Sequence, residues 1–244
     1  ADCEGPQVAH TVAWPPWWPA AAAGTMVTGT PLGRYHFDFQ SDNPWWITEA
    51  TYNVTGEPIN ASAIPYGWTR RRDPTPTGQQ IPYRTGPLAA QQLNNANDAY
   101  IYAEASEKQA GEPILLSFTG WPCANENGVV GSVTFWYHMF GADCGTLIVE
   151  DESANAIWSL SGDQGMASGP NEDGWNQQSV DVNAEAMAFR VIRGTSFRGD
   201  IAIDEVEIQC NMRAPPSTPP LPPSTPPQPP VTASATARAS ASSW

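Results

Sequence analysis

Any chemistry in this chain has to come from four cysteines, three histidines and a surplus of acids. Cys3, Cys123, Cys144 and Cys210 form no CxxC and no Cys/His spacing, which argues against zinc. An even cysteine count beside two sequons, Asn53-Val54-Thr55 and Asn60-Ala61-Ser62, suits an oxidising secretory route with N-glycans on Asn53 and Asn60. Four cysteines allow three pairings. Cys123 and Cys144 flank a strong strand pattern, which favours Cys123–Cys144. Cys3–Cys210 would then tie the start of the chain to its last strand. His10, His36 and His138 show no partnership, and G-x-S-x-G, H-E-x-x-H and a glycine-rich phosphate loop are absent. Neighbouring acids such as Asp151/Glu152 or Glu172/Asp173 point opposite ways on an extended backbone. Glycosidase carboxylates must instead converge at about 5–10 Å. The residues give no catalytic set, and the chain reads as a non-enzyme.

These groups must be positioned by strands. In Gly131–Glu150, Val133, Phe135, Tyr137 and Met139 alternate with Thr134, Trp136, His138 and Phe140. Period-two alternation of aromatic and β-branched residues predicts a strand. Large groups on both faces predict a central strand covered on each side. Gly141–Gly145 is a turn, and Thr146–Glu150 returns. Further strand patterns fall at Ala99–Ala105, Pro113–Phe118, Ala156–Leu160, Gln178–Val182, Met187–Ile192 and Asp200–Gln209, with Trp121–Gly131 read as a loop. In the last strand Ile201 and Ile203 share one face while Val206 and Ile208 take the other. One extra residue at Asp204-Glu205 explains the slip, and such a bulge would re-aim Asp204 toward the interior or an ion.

Composition narrows the partners. Twenty-five acids against 11 bases give a net charge of −14, which disfavours nucleic acid, because phosphate binding needs clustered Lys and Arg. No stretch approaches the roughly 20 apolar residues of a membrane span. A start at Ala1 without Met fits a removed secretory signal.

The order of motifs resembles the MAM domain, an extracellular β-sandwich module of adhesion receptors and membrane-bound proteases. FWYHM with its following turn resembles the family's core hairpin. Phe37-Asp38-Phe39-Gln40 is similar to its opening Cys-Asp-Phe-Glu, with Phe37 and Gln40 as departures. Trp68-Thr69-Arg70, Thr85-Gly86-Pro87, the Tyr-x-Tyr-x-Glu-Ala of residues 100–105, Gly162–Gly165 and the closing DIAIDEVEIQ with Cys210 all match in order. The Asp-His-Thr that usually follows T-G-P is replaced by residues 88–93, LAAQQL, and the cysteine expected before FWYHM stands further back, at Cys123. The resemblance implies an all-β, antiparallel, jelly-roll-like sandwich over residues 35–211. It also implies a structural Ca²⁺ site in which Asp38, Asp204 and Glu205 are the candidates. No other cofactor is required.

The ends differ in character. Residues 1–34 form an extended arm in which Trp14, Trp17 and Trp18 alternate with prolines; left in water such a segment would aggregate, so it needs a surface to dock on. Residues 212–244 hold a Pro/Ser/Thr-rich rod and a Ser/Ala tail. Pro215, Pro216, Ser217, Thr218, Pro219, Pro220, Pro222, Pro223, Ser224, Thr225, Pro226, Pro227, Pro229 and Pro230 predict polyproline II. This run resembles the hydroxyproline-rich glycoproteins of plant and green-algal surfaces, which implies hydroxylation and O-glycans. The function expected is a secreted structural or adhesion protein. Its leading form is a repeating glycosylated fibre subunit, partnered by itself through its termini, with Trp14, Trp17 and Trp18 as anchors. The alternatives are a lectin-like glycan-binding module and a monomeric adhesion domain.

Overall fold

A computed structural model describes residues 31–41, 45–48, 67–77, 85–91, 98–106, 109–165 and 174–213. Cys3, Trp14, Trp17, Trp18, Asn53, Asn60 and the proline-rich run after Ala214 lie outside the described residues.

The chain forms β1 (Pro31–Phe37), β2 (Trp46–Thr48), β3 (Trp68–Arg71), β4 (Tyr100–Ala103), β5 (Pro113–Phe118), α1 (Trp121–Asn125), β6 (Gly128–Met139), β7 (Thr146–Asp151), β8 (Ala156–Ser161), β9 (Trp175–Ala184), β10 (Met187–Ile192) and β11 (Ile201–Met212). All ladders are antiparallel. One sheet runs β3-β4-β11-β6-β9, with β1 also on β11, and the other runs β2-β5-β10-β7-β8. The expected all-β antiparallel sandwich is therefore the fold.

β6 is the central strand its alternation predicted, held between β11 and β9. Val133, Phe135 and Met139 are fully buried between the sheets. There Phe135 meets Phe189 edge-on at 4.8 Å, and Trp46 packs on Phe118 and Phe189. Rings so placed add to the roughly 1.5–3 kcal/mol that each large apolar side chain gains on burial. The opposite face of β6 is covered too, by a smaller cluster of Tyr100, Tyr102, Trp175 and Ala202 against Trp136. His138 is buried there beside Trp175.

Three expectations need correction. The first sandwich strand starts at Pro31, four residues inside the expected arm, because Pro31–Phe37 pairs with Val206–Asn211 of β11. Trp121–Asn125 is a short helix rather than loop, entered from Gly120 with Pro122 in its first turn. The disulfide joins Cys123 to Cys210, with Cα atoms 5.2 Å apart, and replaces both expected pairings. Cys123 lies before the start of β6 and Cys144 after its end. A 12-residue strand spans about 40 Å at about 3.4 Å per residue, so flanking it separates the two thiols far beyond bonding reach. Cys123 instead sits against the end of β11, where Cys210 pairs with Val130. Cys144 is buried and unbridged, and burial pushes its thiol up to about 12.

Candidate functional site

β11 carries the bulge that its sequence announced. From Asp204 to Glu207 it advances three residues while β6 advances two, from Trp136 to Thr134. Glu205 takes φ +48° to absorb the extra residue. Ile203 and Val206 are thereby both buried, and the acids between them turn away from the core. Asp204 and Glu205 converge with Asp98, at the lead-in to β4, so that one oxygen from each lies within 4.8 Å of the others. Asp98 and Asp204 are buried. Asp204 accepts from the backbone N–H of Gln91 at 2.9 Å and of Glu205 at 2.8 Å. Asp98 accepts from Ala99 N–H at 3.0 Å, and Gln40 Nε2 reaches it at 3.5 Å. Glu205 Oε2 lies 2.5 Å from His36 Nε2. Burial, with the charges of Asp98 and Glu205, pushes the Asp204 carboxyl up to about 8 against the two N–H donors.

Asp38 does not join this cluster. Its Oδ1 accepts from Gln40 N–H at 3.1 Å, an Asx turn that uses the side chain locally. Asp98 takes the third place. Its signal in the sequence was slight, an acid one residue before the strand pattern at Ala99.

A further buried acid, Asp200, lies four residues before Asp204, at the lead-in to β11. Asp200 Oδ2 accepts from Thr77 Oγ1 at 2.7 Å, and Oδ1 accepts from Ala105 N–H at 3.1 Å. Burial, then the nearby Glu104 charge, pushes Asp200 up to about 7. Thr75 Oγ1 donates to Thr85 O at 3.2 Å, Thr77 Oγ1 lies 3.2 Å from the same carbonyl, and Thr75 N–H donates to Pro87 O. Gly86, at φ +75°, lies so close that a Cβ there would sit 2.3 Å from Thr75 Oγ1. The Trp175 indole N–H closes the same loop onto Ala89 O at 3.1 Å. Asp200 and Asp204 thus fasten the loops at 72–77 and 85–91 to the sheet. What these acids do is hold loops and gather charge, without a convergent nucleophile and base.

The MAM domain model (meprin/A5/mu) matches residues 59–211, more than half of the chain. The chain belongs to the MAM family. MAM domain-containing protein 2 of Homo sapiens is 33% identical over 152 residues, covering 58% of this chain and 19% of that protein. MAM domain-containing glycosylphosphatidylinositol anchor protein 2 of Mus musculus is 30% identical over 191 residues, 72% of this chain and 18% of that protein. The match thus spans under a fifth of those relatives' length. Among solved structures, the K1 cleaved adhesin domain of Lys-gingipain from Porphyromonas gingivalis W83 is 19% identical with a TM-score of 0.42, covering 72% of this chain and 97% of that one.

As a MAM domain the chain is an extracellular adhesion-type module, and a Cys123–Cys210 bridge belongs to that oxidising setting. None of the described helices is long and apolar enough to cross a membrane. The MAM motifs acquire roles in the geometry. T-G-P is the clamp around Thr75, and Trp68 of W-x-R is buried with its indole N–H on Ile114 O at 3.3 Å. Cys123 supplies from α1 the partner of Cys210. The donor set at the bulge fits a hard divalent cation such as Ca²⁺, because it is all carboxylate oxygen. Asp98, Asp204 and Glu205 would hold the ion. Its charge would take the place of Asp204's proton and brace β4 against the bulge.

Proposed function

We propose that this MAM domain is an extracellular adhesion module that engages a protein partner through the surface of its sandwich. The observation that carries the reading is a family match along the sandwich itself. A cavity lined by His36, Phe37, Asp38, Phe39, Ser41 and Trp46 holds about 140 Å³, below the roughly 300–1,000 Å³ of small-molecule pockets. Buried polar groups here fasten loops, which suits a rigid surface presented to a macromolecule.

The fibre reading makes the chain a homopolymeric subunit joined through residues 1–34 and 212–244, with glycans on Asn53, Asn60 and the hydroxylated proline rod. Its support is the Trp/Pro composition of the arm and the proline repeats. The lectin reading takes support from the jelly-roll fold alone. One experiment separates the three. Beads carrying the full chain are settled on cells of the source organism, before and after protease or glycosidase treatment of the cells, and the soluble chain is imaged by negative stain. Adhesion abolished by protease and kept after glycosidase, from unassembled particles, is the expected result. Loss with glycosidase establishes the lectin, fibres establish the polymer, and no adhesion at all removes the present reading.

A further inference from the structure

We infer that the end of the sandwich around the Cys123–Cys210 bridge is a docking surface for the chain's own Trp14–Pro19 segment. Five large apolar side chains stand exposed among the described residues, and three of them gather at this end. Leu32 is 37% exposed, Met212 51% and Trp121 59%. Leu32 and Met212 flank Gly128: a Cβ there would lie 2.7 Å from Leu32 Cδ1, and Gly128 is the ladder partner of Met212. Trp121 opens α1, which packs on β1 and β6. Two residues on, Cys123 is bridged to Cys210, which stands two residues before Met212, and the bridged Cα atoms are 5.2 Å apart. The Cα atoms of Trp121 and Met212 are therefore at most about 20 Å apart. The helix is firmly held. Pro122 and Cys123 are buried under it. Gly120, at its entry, lies so close to the β9–β10 turn that a Cβ would sit 1.8 Å from Glu185 O.

The occupant is argued from the chain that leads into this surface. Residues 1–30 run directly into Pro31, beside Leu32. They hold Trp14-Pro15-Pro16-Trp17-Trp18-Pro19, and no charged residue stands between Glu4 and Arg34. On a chain of net charge −14, an uncharged segment covers the patch without bringing like charges together, whereas a second copy would bring them. Trp18 precedes Pro31 by thirteen residues, a reach of up to about 45 Å, so the segment can turn back over the patch. In polyproline II geometry Trp14 to Trp18 spans about 12 Å, which fits within the patch. Prolines already extended lose little entropy on docking, and Pro-rich segments are recognised by packing on exposed aromatic faces, here that of Trp121. Segment and patch thus remove each other's apolar surface from water. The other two exposed groups, Ile157 and Phe197, lie singly on β8 and in the β10–β11 loop. This docking is independent of the adhesion reading.

The test uses the full chain grown with fluorotryptophan and read by fluorine NMR, with a soluble gadolinium chelate as the probe of exposure. The Trp121 resonance is assigned by its loss in Trp121→Phe, and those of Trp14, Trp17 and Trp18 in the same way. In the triple variant Trp14→Ala, Trp17→Ala, Trp18→Ala, the Trp121 resonance should shift and its relaxation by the chelate should rise. In the double variant Leu32→Ser, Met212→Ser, checked for folding by circular dichroism, the three arm resonances should shift and relax faster. Ile157→Ala, away from the patch, should leave the Trp121 and arm resonances in place. A Trp121 resonance indifferent to the triple substitution overturns the assignment. So does a shift of equal size in Ile157→Ala. An effect that fades on dilution, together with a dimer seen by sedimentation, overturns it as well, because the arm would then lie on a second copy.

Discussion

Asp200 and Asp204 show how far burial can move a carboxyl when the backbone supplies only part of the compensation. Unfolded, both ionise near the ordinary 3.8; folded, they keep their protons to about 7 and about 8. The folded chain therefore binds more protons than the unfolded chain across that window. This contribution to stability is full at the acid end and is lost as pH rises from about 4 to about 8. In EDTA, calorimetry should give a higher melting temperature at about pH 5 than at about pH 8, and a rise over that interval would contradict the assignment. A cation at Asp98, Asp204 and Glu205 replaces the Asp204 proton, so calcium should stabilise more at the alkaline end. Equal melting temperatures in calcium and EDTA at about pH 8 would remove the ion from the account. Gly86 makes a separate residue-scale test. Its φ of +75° and the 2.3 Å approach of a Cβ to Thr75 Oγ1 mean that Gly86→Ala should cost about 1–3 kcal/mol in urea unfolding.

Among elements, legibility followed the range of the interactions. Each strand along β6 to β11 was visible because burial on one or two faces imposes a period of two, and the β11 bulge was visible because it broke that period. The helix α1 was missed, since five residues containing a proline carry no helical period. The disulfide was misread for a related reason. Sequence shows that two cysteines flank a strand, but which end of β11 returns beside Cys123 is decided by sheet order. The Asp98 contribution was hidden in the same way, because β4 meets β11 only through topology. The bridge closes 87 residues of chain, so Cys123→Ser or Cys210→Ser should lower stability by about 2–5 kcal/mol. Non-reducing peptide mapping should recover Cys123 joined to Cys210, with Cys144 silent to thiol reagents until unfolding. A Cys123–Cys144 peptide would refute this arrangement.

At the scale of the molecule, the family, the sandwich and the extracellular setting were legible because MAM motifs occur along the sequence in their order. A binding surface leaves no such trace, since an exposed side chain carries no period. Trp14, Trp17 and Trp18 drew attention as anchors because tryptophan beside proline is conspicuous in any sequence. The central claim is that adhesion belongs to the sandwich and not to that arm. Its most direct test compares bead–cell adhesion of the full chain with that of the triple variant Trp14→Ala, Trp17→Ala, Trp18→Ala at matched surface density. Adhesion should be unchanged by the triple substitution. Adhesion abolished in the variant, with its melting temperature intact, would place the function in the arm and contradict the account.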